Sequence, residues 1–369
     1  MTVMTFSEAA QKLPRMLLHG DITFDFDGMP LYAKKLSYSK RLNLLLNGLG
    51  GLFKRTSSFG LPPIIQIEPS TLCNLHCPLC PTGSNSISRP RITMSMEIFD
   101  QLMAELADSL IAIYFFCFGE PFINKNLTRM IKACTKQNIL SFTSTNGHFI
   151  QSMSEAIEVV ESGLSTMIIA VDGSSQEIYQ KYRRGGELKK VKQCISLIEE
   201  AKVKLNSPYP YTNMRTVVTK DNQDDLENLK KMAEDLGVNM FSYKSVGCMP
   251  SKGEFSNFEP TKVELQRFEY KDSQRKHTQP FQCIFPFRQP IVFSDGTVVG
   301  CEYDHNLEMA FGRIGEKPFA EMWNSLNSTR LRKSIQKMTD RPAFCQNCPY
   351  QDRIQKGSEL QCYELRPLE

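Results

Sequence analysis

Thr71-Leu72-Cys73-Asn74-Leu75-His76-Cys77-Pro78-Leu79-Cys80-Pro81-Thr82-Gly83 carries three cysteines spaced C-x3-C-x2-C. It directly follows Ile64-Ile65-Gln66-Ile67, a short apolar run of the kind that forms a buried strand. Three thiolates on one loop can hold three irons of a cubane cluster and leave the fourth iron open. A structural zinc site, with His76 or a distant residue as fourth ligand, would use the same letters. So would three unrelated core cysteines. The flanking sequence separates these readings.

Apolar strand-like runs recur at 112–116, 140–143, 166–171, 214–218 and 240–243. Amphipathic helical stretches lie between them at 96–106, 127–137, 153–162, 188–205 and 224–236. Ser95, Ser152 and Asn222 are the expected N-caps, and Gly163 and Gly237 the expected stops. Six βα repeats predict an α/β fold with a parallel sheet. We read it as a curved, partial (βα)6 barrel, although repeats alone also suit an open sheet. In such barrels the site lies at the C-terminal ends of the strands, where the cysteine loop falls.

Residues 1–60 read as an N-terminal extension with short helices and a small hairpin around 20–31. Residues 61–245 form the barrel. A polar linker follows over 246–282, with Pro250, Pro260 and the charged run from Arg275 to His277. Residues 283–369 read as a small α+β domain. There 290–293 and 297–300 flank Ser294-Asp295-Gly296, a hairpin signal. Helices are expected near 319–325 and 330–337.

Bulk composition narrows the function. The chain has 369 residues, 41% hydrophobic and 23% charged, as in an ordinary soluble protein. A net charge of +4 is too mild to argue for a nucleic-acid or membrane partner. No basic-then-apolar leader opens the chain, and the apolar stretch at 42–53 is far short of the ~20 residues that span a bilayer. A cytoplasmic location is therefore expected. In a reducing compartment, twelve cysteines point to metal or redox chemistry before disulfides. Cys117, Cys134, Cys194 and Cys248 are scattered and read as core residues.

The cysteine loop and its place after the first strand resemble the radical SAM (S-adenosylmethionine) superfamily, over about residues 62–350 on the motifs' placement. Phe118-Gly119-Glu120-Pro121 resembles that family's Gly-Gly-Glu-Pro, with Phe118 in place of the first glycine. The resemblance implies that Glu120 and the backbone near Gly119 hold the SAM amino group, a charge-assisted pairing. Ser144-Thr145-Asn146-Gly147 resembles the family's Thr-Asn-Gly, which would place Ser144 and Asn146 near the ribose or substrate. A helix-capping loop is the plainer alternative. Ala170-Val171-Asp172-Gly173 resembles Ser-x-Asp-Gly without its serine. Arg183 or Arg184 would then carry the SAM carboxylate, unless they form a solvated charge pair. The implied fold is a TIM-like radical SAM barrel.

Cys283, Cys301, Cys345 and Cys348 fit a second site. Gly296-Thr297-Val298-Val299-Gly300-Cys301, the Cys345-x-x-Cys348 pair and Met322-Trp323-Asn324 resemble the auxiliary-cluster domains called SPASM or twitch. Ile354 stands where a full SPASM motif has another cysteine. We therefore expect one auxiliary [4Fe–4S] cluster with four ligands, and Cys362 as a spare or a substitute. A four-cysteine zinc ribbon is the structural alternative.

The resemblance implies a mechanism. An external one-electron reductant of flavodoxin or ferredoxin type charges the first cluster. SAM is cleaved to a 5′-deoxyadenosyl radical, which takes a hydrogen atom from the substrate. The auxiliary cluster then accepts the substrate's electron. Asp304 and His305 are candidate proton acceptors, or else solvated loop residues. A small polyol or aminocyclitol is the expected substrate, by resemblance to aminocyclitol dehydrogenases. The runner-up is a maturase acting on a peptide or protein. A non-catalytic zinc-binding interaction protein is the third reading.

Overall fold

The computed structural model describes residues 14–52, 56–247, 255–271, 274–276, 281, 283–346, 348 and 360–368. Cys248, Pro250, His277 and Ile354 lie outside the described residues. The described chain opens on an antiparallel hairpin, β1 (Ile22–Phe26) and β2 (Met29–Ala33). Its two-residue turn is Asp27-Gly28, with φ of 52° and 78°. That double positive φ is the two-residue turn whose twist suits a hairpin, and Asp-Gly is among its preferred sequences. Helix Tyr38–Leu52 follows.

Six parallel strands then form the frame: β3 (Ile64–Ile67), β4 (Ala112–Phe115), β5 (Leu140–Thr145), β6 (Thr166–Ala170), β7 (Tyr211–Val218) and β8 (Met240–Ser245). Helices Met96–Leu106, Leu127–Lys136, Met153–Glu161, Leu188–Lys204 and Leu226–Leu236 connect them. Ile65, Ile67, Ile113 and Phe115 share one buried cluster with Phe99 and Leu102 of the first of these helices. One face of each strand thus packs on helices and the other faces inward. The caps follow local chemistry. Ser95 accepts from the Ile98 N–H, and Ser152 and Glu155 form a reciprocal capping box. Gly163 and Gly237 stand at the stops.

The structure differs from expectation at two connections. Helix Gln176–Tyr182 was not anticipated. Asn222 is not an N-cap, because Asp225 holds that position. Asn222 instead accepts from the Thr219 N–H at 2.7 Å and donates to the Asp172 carbonyl at 3.0 Å, bracing the loop after β7.

The inward face is filled from below by the β1–β2 hairpin. Ala33 packs with Ile111 and Ile64 near the strand starts, and Leu31 with Tyr114 and Phe142. Phe26 reaches Phe116, just past β4, at 6.3 Å between ring centroids. Met29 packs with Ile168, Tyr211 and Met240 on the opposite wall. Met29 and Leu31 are essentially fully buried, worth roughly 1.5–3 kcal/mol each.

Past a short ribbon, β9 (Tyr270–Lys271) with β10 (Gln274–Arg275), the chain returns to the barrel. The predicted hairpin forms as β11 (Ile291–Val292) and β12 (Thr297–Val299). β11 pairs parallel with β3, and β13 (Gly312–Arg313) pairs with β12. At the far edge β14 (Gln361–Glu364) runs antiparallel to β8. One ten-stranded sheet results, in the order β13-β12-β11-β3-β4-β5-β6-β7-β8-β14. Helices Phe319–Trp323 and Leu326–Lys337 cover its C-terminal part. Among the described residues, no helix is long and apolar enough to cross a membrane.

Candidate active site

The cysteine loop leaves β3 at its C-terminal end and is walled by apolar side chains. Leu75, Leu79, Tyr182 and Phe258 pack around Cys73, Cys77 and Cys80. The loop is tied to the rest of the barrel by the His76 N–H donating to the Arg184 carbonyl at 2.9 Å. Burial pushes the Cys73 thiol up to about 11, and burial also raises Cys77. Thiols so placed stay protonated until a metal displaces the proton. Three donors point at the sulfurs: the Leu75 N–H at 3.4 Å and Asn146 Nδ2 at 3.7 Å from Cys73 Sγ, and Arg183 Nη1 at 3.8 Å from Cys77 Sγ.

Glu120 ends the connection after β4. Gly119 before it has φ +73°, and a Cβ there would stand 2.0 Å from the Ser70 carbonyl oxygen. Only glycine lets the segment lie this close to the cysteine loop, where the Glu120 N–H donates to the Leu72 carbonyl at 2.7 Å. The Glu120 carboxylate accepts from the Asn146 N–H at 2.8 Å, the Thr145 hydroxyl at 2.7 Å and the Phe122 N–H at 3.1 Å. Burial still pushes it up to about 7. Arg183 acts on it only at a distance, and a buried carboxyl with donors but, among the described residues, no direct ion-pair partner suits a ligand ammonium.

Asp172 and Arg183 form a buried ion pair. Asp172 also accepts from the Val217 N–H at 2.6 Å. The guanidinium is thus held between Asp172 and the Cys77 thiol. Arg184 points elsewhere: it is exposed and lines an open cleft with Pro78, Lys181 and Lys220. Ser144 is half-buried on β5, on the same face as Phe142.

The second set of cysteines also comes together. Cys283 and Cys348 lie within electrostatic reach of each other and of both Cys301 and Cys345. Burial pushes Cys283 and Cys345 up to about 12 and raises Cys301 well above its ordinary value. Three of these thiols are buried and Cys283 is half-buried. Arg341 beside Cys345 offsets its raised value only in part, and four such thiols suit a closed metal cluster. Cys362 is not among them. It lies on β14 at the opposite edge, its thiol 3.4 Å from the Asp27 carbonyl oxygen, so it neither replaces nor supplements a ligand.

A buried seam joins the two sites. Arg89 grips Glu68 with two bonds, at 2.9 and 2.8 Å, and lies over the Phe293 ring at 3.7 Å. Glu68 also accepts from the Ser294 N–H and hydroxyl. Arg89 Nε donates to the His305 carbonyl at 2.7 Å. Phe118 explains its own departure from glycine: its ring packs with Ile291, Phe293 and Val299 and meets His305 edge-on at 5.7 Å. The hairpin loop is thereby laid against the Gly119-Glu120 turn. Cys117 sits between, within electrostatic reach of Cys301 and Glu68. Sequence reasoning missed Glu68 and Arg89. A carboxylate closing an apolar strand run was the available signal.

Asp304 is buried and accepts from the N–H groups of Glu308 at 2.7 Å and Met309 at 3.0 Å. It organises its loop. His305 Nδ1 is buried and has no hydrogen-bond partner among the described residues.

A family model described as the radical SAM superfamily matches residues 67–233, and one described as an iron–sulfur cluster-binding domain matches residues 283–349. The chain belongs to the radical SAM superfamily. Membership brings a SAM-binding [4Fe–4S] cluster, SAM and auxiliary iron–sulfur ligation. The AdoMet-dependent heme synthase of Oleidesulfovibrio alaskensis is 25% identical over 187 residues, 50% of this chain and 46% of that protein. The chain thus matches about half the length of that relative. The S-adenosyl-L-methionine-dependent 2-deoxy-scyllo-inosamine dehydrogenase of Niallia circulans is 22% identical over 292 residues, 77% of this chain and 92% of that enzyme. Among solved structures, Streptococcus suis SuiB bound to precursor peptide SuiA superposes with a TM-score of 0.61 at 14% identity. It covers 96% of this chain and 82% of SuiB, a likeness of fold.

Proposed function

We propose that this radical SAM enzyme is an oxidoreductase acting on a small polyol, aminocyclitol or sugar-type substrate. In this reading Cys73, Cys77 and Cys80 hold the SAM-binding cluster, and Cys283, Cys301, Cys345 and Cys348 hold one auxiliary cluster. When bound, SAM and its cluster supply the radical that takes a hydrogen atom from the substrate.

The residues divide the remaining work. Glu120 receives the SAM ammonium, and Gly119 lets its backbone approach. Asn146 and Ser144 line the ribose side. Asp172 fixes Arg183, whose remaining N–H groups take the SAM carboxylate in place of the missing serine at Ala170. Arg184 contributes its carbonyl to the cysteine loop, and its side chain faces the exposed cleft. His305 is the proton acceptor. Burial, with Arg89 beside it, holds the imidazole below its ordinary range, so it is neutral and able to accept.

The observation that carries this reading is the seam. It supports the reading by laying the hairpin that leads to Cys301 against the Gly119-Glu120 turn, so that an auxiliary cluster there would stand ready to receive a substrate radical's electron. The dehydrogenase relative, matched over most of its length, supports the substrate class. An external one-electron donor completes the scheme. The test uses reduced, reconstituted protein with SAM and two deuterated pools, one of cyclitols and sugars, one of peptides. Deuterium should enter 5′-deoxyadenosine from the first pool. Label from the peptides alone would replace this reading with a peptide maturase.

A further inference from the structure

The β1–β2 hairpin rises through the barrel and stops at Asp27. There Arg215 Nη1 donates to Asp27 at 2.8 Å, and Arg215 Nε donates to Ser242 Oγ at 3.0 Å. Among the described residues Arg215 Nη2 has no partner, although it is buried on a side chain only 7% exposed. The Tyr114 hydroxyl is likewise buried without a partner. Its ring is wedged between Phe26 at 4.6 Å and Phe142 at 5.0 Å. Asp27 lies within electrostatic reach of Tyr114 as well. Two donors without acceptors therefore flank one hairpin tip.

Their height in the barrel is informative. Arg215 is the register partner of Ala170, two residues before Asp172. Val217, two residues after Arg215, donates to Asp172. The donors thus lie just beneath the layer that holds the cysteine loop. A buried donor left unsatisfied costs roughly 1–3 kcal/mol, which a ligand oxygen would recover.

We infer that Arg215 and Tyr114 form the polar floor of the substrate pocket and donate to an alcohol or acid oxygen of a small, oxygen-rich substrate. Asp27 is a positioning residue that aims the guanidinium. The inference rests on the small-molecule reading above and adds to it where the substrate's oxygens are held.

The test is anaerobic calorimetry on reconstituted, SAM-bound protein, with myo-inositol and gluconate as neutral and anionic probes. Arg215→Gln should weaken binding roughly tenfold to a hundredfold, as for a charged hydrogen bond, and Tyr114→Phe about two- to tenfold. Tyr114→Phe keeps the ring, so it still decides the matter if Arg215→Gln fails to fold. Asp27→Asn removes a negative charge and should favour gluconate over myo-inositol, a shift in preference that a merely structural role would not produce. Absence of binding to the unmodified protein would overturn the inference. So would unchanged binding in both donor variants, the result expected if only water meets these groups. Cyclitol turnover that ignores both donor substitutions would sink this floor and leave the proposed function standing. Donor-dependent probe binding with label only from peptides would do the reverse.

Discussion

Cys73, Cys77 and Cys80 come from a single connection after one strand, whereas Cys283, Cys301, Cys345 and Cys348 come from three separated segments. The first site is a local object. Its loop is shaped by Gly119 and tied by a few backbone bonds. The second draws on segments brought to the barrel by the pairing of β11 with β3 and by the Glu68–Arg89 seam. Three thiols leave an iron open for SAM, and four close a cluster for electron transfer. Under the proposed function, the difference in construction mirrors a difference in task.

Breaking each site should separate the two tasks. Cys77→Ala should abolish SAM cleavage altogether, read as loss of 5′-deoxyadenosine by chromatography. Cys301→Ala should leave SAM cleavage measurable while product oxidation disappears. Equal loss of both activities in the two variants would mean that the sites do not divide the work.

The seam is the next target. Arg89→Leu leaves the buried Glu68 carboxylate uncompensated and should cost roughly 3–5 kcal/mol in denaturant unfolding. A change within about 0.5 kcal/mol, as for an ordinary surface substitution, would show that the hairpin is held by other means.

A smaller effect sharpens the first site. With the Glu120 carboxyl pushed up to about 7 by burial, its protonated form dominates below that pH. SAM's ammonium needs the carboxylate, so SAM affinity should fall as pH drops through about 7. Glu120→Gln should weaken binding roughly tenfold to a hundredfold and flatten that dependence. An unchanged slope in the variant would assign the titration elsewhere.

Much of this was legible before any coordinates. Six apolar runs with amphipathic helices between them announced a parallel α/β sheet, because buried parallel strands carry apolar side chains. C-x3-C-x2-C was readable because its ligands lie within one turn-rich loop. What escaped was long-range. Nothing local says that β11 will pair with β3, or that Glu68 will find Arg89 and Ser294. The Asp27-Gly28 turn marked a hairpin but not its destination inside the barrel. Asn222 looked like a cap because Asn suits both caps and loop braces. Asp304 looked available because its loop partners, two backbone N–H groups, leave no trace in sequence.

The central claim is that one chain holds an open three-cysteine cluster and a closed four-cysteine one. Its most direct test is iron content and electron paramagnetic resonance after anaerobic reconstitution, with Cys283, Cys301, Cys345 and Cys348 intact or all replaced by alanine. The account predicts about eight irons per chain in the first case and about four in the second. The remaining cluster signal should still shift when SAM is added. Zinc in place of iron, or about four irons in both proteins, would contradict it.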